Sequence, residues 1–144
     1  SDGIRIAQAR DHANLHHFRY YFGDIGEIEK YGHPTKTLEK SLFDYQIAPL
    51  ITENKPFDFY FVDGRYRVAC ACISFLHAMK YGGDMSKVMV GIHDYYYVSR
   101  GYKVLESIAY PVVTNARLYV FKLKKSTTDD QIFRLWREKA LVVM

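Results

Sequence analysis

The sequence predicts an α/β fold with a parallel sheet core and an antiparallel hairpin toward the carboxyl end. Two apolar runs of strand length, FDFYFVD at 57–63 and KVMVGIHD at 87–94, flank an apolar segment of helix length. That order is typical of a βαβ unit. Two strand-like segments around a turn and one amphipathic segment follow. The length of 144 residues fits a single domain over 1–144.

The βαβ unit is the clearest part of the pattern. FDFYFVD lies between Pro56 and Gly64 and is nearly continuous in apolar residues, which predicts a strand covered on both faces. The next segment, YRVACACISFLHAMK at 66–80, is apolar almost all round, so we expect a buried helix that ends before Gly82. KVMVGIHD predicts a second buried strand, parallel to the first after a right-handed crossover.

The segments upstream are less regular. Good helix formers predict a helix over 4–15, and the aromatic run FRYYF predicts a strand over 18–22. Glycines and prolines break up residues 24–56, within which TLEKSLFDYQ at 37–46 predicts a short helix capped by Thr35 or Thr37.

The segments downstream complete the prediction. SRGYKVLESIA at 99–109 predicts a helix, and YPVVT and RLYVFKLK around Asn115-Ala116 predict a hairpin. TTDDQIFRLWREKAL at 127–141 predicts an amphipathic helix capped by Thr127 or Thr128. Its predicted apolar face consists of Ile132, Phe133, Leu135, Trp136 and Ala140.

Composition narrows the function classes. The net charge of +4 and the pI of about 9.0 are mildly basic, but the cations form no recognisable module, which disfavours nucleic-acid binding. Aromatic residues make up 16% of the chain, and such a density suits a packed core and a protein-binding surface alike. No apolar run approaches the roughly 20 residues of a membrane-spanning helix. Cys70 and Cys72 are predicted to be small buried side chains.

Polar side chains stand where the predicted strands end. Asp63 follows the 57–62 segment, His93 and Asp94 end the next, and Asp24 follows FRYYF. Ligands of open α/β sheets bind beyond the carboxyl ends of the strands. Asp63, His93 and Asp94 are therefore the candidate catalytic residues, and Asp24 is a candidate ligand-binding residue.

Three arginines near those strand ends, Arg65, Arg67 and Arg100, are further candidates for ligand binding. Each candidate has a structural alternative. Asp63 at a strand end is suited to cap the next helix, and the arginines are suited to pair with acids. We expect Arg65 in particular to hold the strand-end acids together. His93 is suited to be a general base, a metal ligand or a hydrogen-bonded structural residue.

Familiar catalytic motifs are absent. The sequence contains no GxGxxG loop, Walker motif, HExxH, GxSxG or CxxC. His12 and His16 have a spacing that would allow a metal clip, but no third ligand is evident. Cys70 and Cys72 lack a matching histidine or cysteine at ligand spacing, so we expect no metal.

A longer string resembles a known family. VDGRYRVAC at 62–70, VGIHDY at 90–95, RLYVFKLK at 117–124 and FRYYFGDIGEIEKYGHP at 18–34 together resemble class I S-adenosylmethionine-dependent methyltransferase-like domains, in a poorly characterised branch with a VDGRxRVAC signature. The resemblance implies a truncated Rossmann-type sheet with flanking helices. It places Asp63 and Asp94 at the ends of the family's fourth and fifth strands. Asp24 would follow the third strand, near the adenine of a cofactor.

The chain departs from that family at its amino end. Family members hold the cofactor with a glycine-rich loop after the first strand and an acid after the second, and both strands should precede FRYYF. Only 17 residues do so here, and Gly3 is their only glycine. We therefore expect this chain to bind no cofactor. It would bind S-adenosylmethionine only if the missing half were supplied elsewhere.

Two leading hypotheses follow. The first is a non-catalytic scaffold or interaction subunit of a larger assembly, bound to other protein chains and in contact with a membrane complex at most peripherally. The alternative is a fragment of a methyl- or glycosyltransferase acting on a small molecule or polysaccharide. A nucleic-acid-binding module is a third hypothesis. Since the chain begins with Ser1, a processed chloroplast or mitochondrial protein is one hypothesis for its location.

Overall fold

The computed structural model describes residues 21, 23, 27–30, 34–35, 39–95 and 99–142. Four α-helices lie in this part of the chain: α1 (Glu39–Ile47), α2 (Arg67–Lys80), α3 (Ser99–Tyr102) and α4 (Asp129–Lys139). The strands are β1 (Phe59–Val62), β2 (Met89–Ile92), β3 (Ala109–Asn115) and β4 (Leu118–Leu123). The predicted helix at 4–15 lies outside the described residues, and of FRYYF only Tyr21 is described, in no strand.

The four strands form one mixed sheet in the order β1-β2-β4-β3. β1 and β2 are parallel, with Val62 opposite Ile92, whereas β4 is antiparallel to both β2 and β3. The predicted parallel pair and carboxyl-terminal hairpin are therefore confirmed. The architecture is a mixed α/β sheet with flanking helices.

Helices α2 and α4 cover one face of this sheet. Val62, Val90 and Phe121 point from the strands into the main core, where they join Phe75 of α2 and Ile132 of α4. Helix α2 buries residues on most of its circumference, as its sequence predicts. It ends before Gly82, whose φ of 76° is the left-handed conformation that glycine adopts without strain.

The opposite face of β1 is open, and the prediction of a strand covered on both faces is wrong. Phe59 and Phe61 are 46% and 56% exposed, while Tyr60 and Val62 between them are buried. Gly91 of β2 lies beside Phe59, and a Cβ atom there would lie 2.8 Å from the Phe59 ring. The Phe59 ring therefore extends over the β2 backbone at Gly91.

The remaining helices match those predicted from the sequence in position but not in every detail. Thr128 caps α4 in a capping box with Gln131, but Phe133, predicted to be on the apolar face, is 45% exposed. The helix predicted over 99–109 is instead the four-residue α3 followed by a 3₁₀ helix, Lys103–Ser107. No helix in the described part of the chain has the length and hydropathy needed to cross a membrane.

Candidate functional site

The parallel pairing of β1 and β2 brings the strand-end candidates together. Because Val62 and Ile92 are partners, Asp63 and the pair His93-Asp94 emerge at the same edge of the sheet. His93 Nδ1 lies 3.3 Å from Asp63 Oδ1 and 3.6 Å from Asp94 Oδ2. The structure thus unites the three residues that the sequence proposed as catalytic.

Arg67 lies beneath these acids. Its Nη2 atom is 3.8 Å from Asp63 Oδ1 and 3.8 Å from Asp94 Oδ2, and its side chain is only 8% exposed. Its Nη1 atom donates a hydrogen bond of 2.9 Å to the Tyr102 hydroxyl. Arg117 approaches Asp94 from the hairpin, with Nη1 3.7 Å from Oδ1. Two guanidinium groups therefore offset the charge of the two carboxylates.

The turns that carry this cluster have unusual backbone conformations. Tyr66, the residue before α2, has a φ of 54°, and Asp94 has a φ of 57°. Both lie in the left-handed region, which is costly for residues with a side chain. The N-cap of α2 is Tyr66, whose side chain makes no capping hydrogen bond, so the interpretation of Asp63 as the N-cap residue is wrong.

The structure describes the other candidates only in part. The Arg65 backbone N–H donates a 3.3 Å hydrogen bond to the Tyr45 hydroxyl, which ties the turn after β1 to α1. The expectation that the Arg65 side chain holds the strand-end acids stays a prediction. Arg100 belongs to α3, but its side chain, like the whole of Asp24, lies outside the described residues.

The cluster has the donor atoms of a metal site. One nitrogen of His93 and one carboxylate oxygen each of Asp63 and Asp94 lie within 4.8 Å of one another. The two arginines compete with any cation for the same carboxylates. The expectation that the chain holds no metal stays a prediction.

Two buried polar atoms at the cluster lack hydrogen bonds within the described part of the chain: Arg67 Nε and Asp94 Oδ1. Buried polar atoms are normally paired, so unpaired ones need an explanation such as a bound water or ligand. This is the one feature of the cluster that points to an occupant.

Sequence reasoning missed two members of the cluster, Tyr102 and Arg117. The predicted hairpin was placed correctly, but its pairing with β2 was not predicted. That pairing brings Arg117 to Asp94, because the Tyr95 N–H donates to the Arg117 carbonyl at 3.2 Å. A prediction of the strand order would have identified Arg117 as a neighbour of Asp94.

A cavity of about 270 Å³ lies beside the outer edge of β1. Phe61, Gly64 and Arg65 form one side, and Tyr45, Pro49 and Leu50 at the end of α1 form the other. A Cβ atom at Gly64 would collide with the Tyr45 hydroxyl. Glycine at this position therefore lets α1 pack closely against the turn.

Cys72 is buried, as predicted, whereas Cys70 is half-buried and lines the cavity. Burial raises the pKa of the Cys70 thiol to about 12 and raises the pKa of Cys72 as well. A reactive cysteine needs a depressed pKa, so neither thiol is suited to be a nucleophile.

Comparison with known proteins supports the fold. No protein-family model matches the sequence, and no curated protein sequence matches it. The crystal structure of a methyltransferase-like protein from Silicibacter pomeroyi DSS-3 matches 95% of this chain and 71% of its own, with a TM-score of 0.63 and 24% identity. At that identity the likeness shows the fold alone. The chain has the α/β fold of a methyltransferase-like protein.

Proposed function

We propose that this chain is a non-catalytic, methyltransferase-like subunit that binds other protein chains. The observation that carries the proposal is the open apolar face of the sheet. Phe59 and Phe61 on β1 and Tyr110 and Val113 on β3 are between 44% and 56% exposed. Such a face on a protein in water is typical of an interaction site.

The exposed residues lie on one side of the sheet. Phe59 and Phe61 are partners of Met89 and Gly91, Gly91 is the partner of Val120, and Val120 is the partner of Val113. Because directly opposed residues share a face, the apolar side chains extend from β1 across to β3. The exposed apolar side chains therefore lie toward both edges of this face, on β1 and β3, with the buried Gly91 and Val120 between them.

The strand-end cluster is consistent with a structural role. Arg67 and Arg117 offset Asp63 and Asp94, as expected of a network that stabilises two turns. The 144 residues also contain no glycine-rich phosphate loop. Calorimetry should show no heat when S-adenosylmethionine is titrated into the protein. A dissociation constant below about 100 μM, near −5.5 kcal/mol, would contradict the non-catalytic part of the proposal.

The binding part is tested separately by replacing Val113, an exposed residue of this face on the edge strand β3, with threonine of similar shape. The native mass of the species that contains the chain should fall toward that of the chain without its partner. Thr114→Val, which changes the opposite face of β3, is the matched control and should leave the native mass unchanged. A wild-type protein that is a monodisperse monomer of 16.9 kDa in extracts of its own cells would refute the proposal.

A second candidate is a fragment of a methyl- or glycosyltransferase. Arg67 Nε and Asp94 Oδ1, which make no hydrogen bond among the described residues, favour it, because a substrate with hydroxyl groups would satisfy both a donor and an acceptor. In that case Asp63, His93 and Asp94 would line the acceptor site. Saturation-transfer NMR with simple sugars tests this, with His93→Ala as the variant that should lose the signal.

A further inference from the structure

An open cavity of about 690 Å³ lies at the end of the sheet opposite the strand-end cluster. β4 ends there at Leu123, and Tyr110 near the start of β3 is the partner of Lys122. Met79 near the end of α2 and Met85 in the turn before β2 also line the cavity. Its volume falls within the roughly 300–1,000 Å³ of small-molecule sites. The cavity is therefore large enough for a ligand and is separate from the strand-end cluster.

Apolar side chains form one part of the cavity wall. Met79, Met85 and Leu123 all belong to the main core or pack against it, so this part of the wall rests on buried structure. Methionine is unbranched and polarisable, and it adapts to the shape of an apolar partner. The wall is therefore suited to a flexible hydrocarbon chain.

The charged side chains among the described lining residues are all cations: Lys122, Lys124 and Lys125. The Lys124 ammonium donates a hydrogen bond to the Glu106 carbonyl, and a lysine has two further N–H donors. Lys122 and Lys125 donate no hydrogen bond within the described part of the chain. A concave site lined by charges of one sign attracts a ligand of the opposite sign. The lysines therefore indicate an anionic ligand.

Asp84 is the acid that competes for these lysines, because it directly precedes Met85 in the cavity wall. Its carboxylate accepts a hydrogen bond of 2.6 Å from Ser86 Oγ and lies 3.8 Å from Lys87 Nζ. Ser86 and Lys87 lower the pKa of Asp84 more than Lys122 does. Asp84 is therefore held mainly by other partners, and the lysines of the cavity keep most of their positive charge for a ligand.

We propose that this cavity binds a small amphipathic anion, a carboxylate carried by an unbranched hydrocarbon chain. The chain would lie against Met79 and Met85, and the carboxylate would meet the lysine ammonium groups. The inference goes beyond the proposed function, because it concerns a small molecule at one end of the sheet rather than a protein chain on its open face. Of the residues named for that face, only Tyr110 lines the cavity.

Isothermal titration calorimetry with octanoate, hexanoate and 1-octanol tests the inference. Octanoate should bind with a dissociation constant below about 1 mM. Hexanoate should bind at least about fourfold more weakly, because it buries two fewer methylene groups. 1-Octanol has the same hydrocarbon chain without the charge, and it should bind at least about tenfold more weakly.

Substitutions separate the two parts of the site. Lys122→Gln combined with Lys125→Gln should weaken octanoate binding at least about tenfold. The matched control combines Lys55→Gln with Lys103→Gln, which removes two charges at exposed positions outside the described lining, and it should bind octanoate like the wild type. Met85→Gln makes the apolar wall polar at similar size, so it should reduce the ratio of octanoate affinity to hexanoate affinity.

The location is measured by NMR of protein labelled with ¹³C at the methionine methyl groups. Octanoate should shift the resonances of Met79 and Met85. Failure of octanoate to bind at about 1 mM, equal binding of 1-octanol, or unshifted Met79 and Met85 resonances would overturn the inference. Wild-type affinity of the lysine variant or an unchanged ratio in Met85→Gln would overturn it as well. Binding of phosphatidylglycerol vesicles or of polyglutamate without binding of octanoate would assign the lysines to a membrane surface or an acidic protein and would also overturn it.

Discussion

Arg67 donates a hydrogen bond to Tyr102 while its guanidinium carbon lies 5.8 Å from the centre of the same ring. Both side chains are buried. This contact joins the start of α2 to the end of α3, and it holds the guanidinium group between Asp63 and Asp94. Arg67 is therefore the central cation of the strand-end cluster.

Replacing Arg67 with methionine should lower the free energy of unfolding by about 2 kcal/mol or more, because the acids lose a buried charged partner and Tyr102 loses its donor. Urea denaturation measures this. The control is Arg134→Met, which removes an exposed pair with Asp130 of 2.9 Å and should cost about 0.5 kcal/mol or less. Equal losses in the two variants would refute a central role for Arg67.

Arg65→Ala should also lower the thermal midpoint, because we expect a partly buried carboxylate to lose its partner. Differential scanning calorimetry measures the midpoint, and Arg65→Lys, which keeps the charge, should recover part of the loss. Unchanged stability together with loss of a bound ligand would instead assign Arg65 to ligand binding.

The protein should lose stability above about pH 10. Burial raises the pKa values of Tyr60, Tyr66 and Tyr95 above the ordinary value of 10.0, and the hydrogen bond from Tyr95 to Glu106 raises that of Tyr95 further. Since these groups ionise more readily in the unfolded chain, their stabilisation is complete below pH 10 and is lost as the pH rises toward the folded pKa values.

Tyr95→Phe should reduce the slope of stability against pH in that range, whereas Tyr110→Phe, at an exposed position, should not. Thermal melts between pH 8 and about pH 11 measure the slope. A slope that is the same in all three proteins would show that Tyr95 does not contribute.

Gln46 should be important for the contact between α1 and α4. Its amide nitrogen donates to the Ala140 carbonyl at 2.7 Å, and its amide oxygen accepts from Trp136 Nε1 at 3.0 Å. Gln46→Leu leaves two groups unpaired and should cost about 1–3 kcal/mol.

Chemical denaturation followed by far-ultraviolet circular dichroism measures this loss. In a double-mutant cycle, Trp136→Phe should cost less in the Gln46→Leu background than in the wild type, because the shared hydrogen bond is already gone. Strictly additive losses would contradict a shared bond.

The pattern of apolar, turn and capping residues was enough to predict the helices, strands and turns whose formation depends on residues close in sequence. The apolar runs at β1, α2 and β2, the turn at Asn115-Ala116 and the Thr128 cap are all set within a few residues of sequence. The parallel order of β1 and β2 then placed Asp63, His93 and Asp94 at one edge, so these members of the candidate site could be predicted as well.

Long-range pairing was not encoded in any single segment. The sequence FDFYFVD is equally apolar on both faces, so nothing in it shows that helices cover only Tyr60 and Val62. Likewise Arg117 reaches Asp94 only because β4 pairs with β2. The helix predicted over 99–109 becomes a tighter 3₁₀ helix over Lys103–Ser107, a difference that periodicity does not show.

The Phe59 ring over Gly91 limits how the open face of the sheet can change. A glycine in a strand exposes its backbone to water, and an aromatic ring on the neighbouring strand shields it. The two residues therefore form one packing unit. Replacing Phe59 with a polar residue would make the surface more soluble, but it would also open the hydrogen bonds between β1 and β2 to solvent. A bulkier residue at Gly91 would displace the ring. Solubility and sheet integrity thus make opposite demands on Phe59, and a redesign that makes this face polar would have to change both residues together.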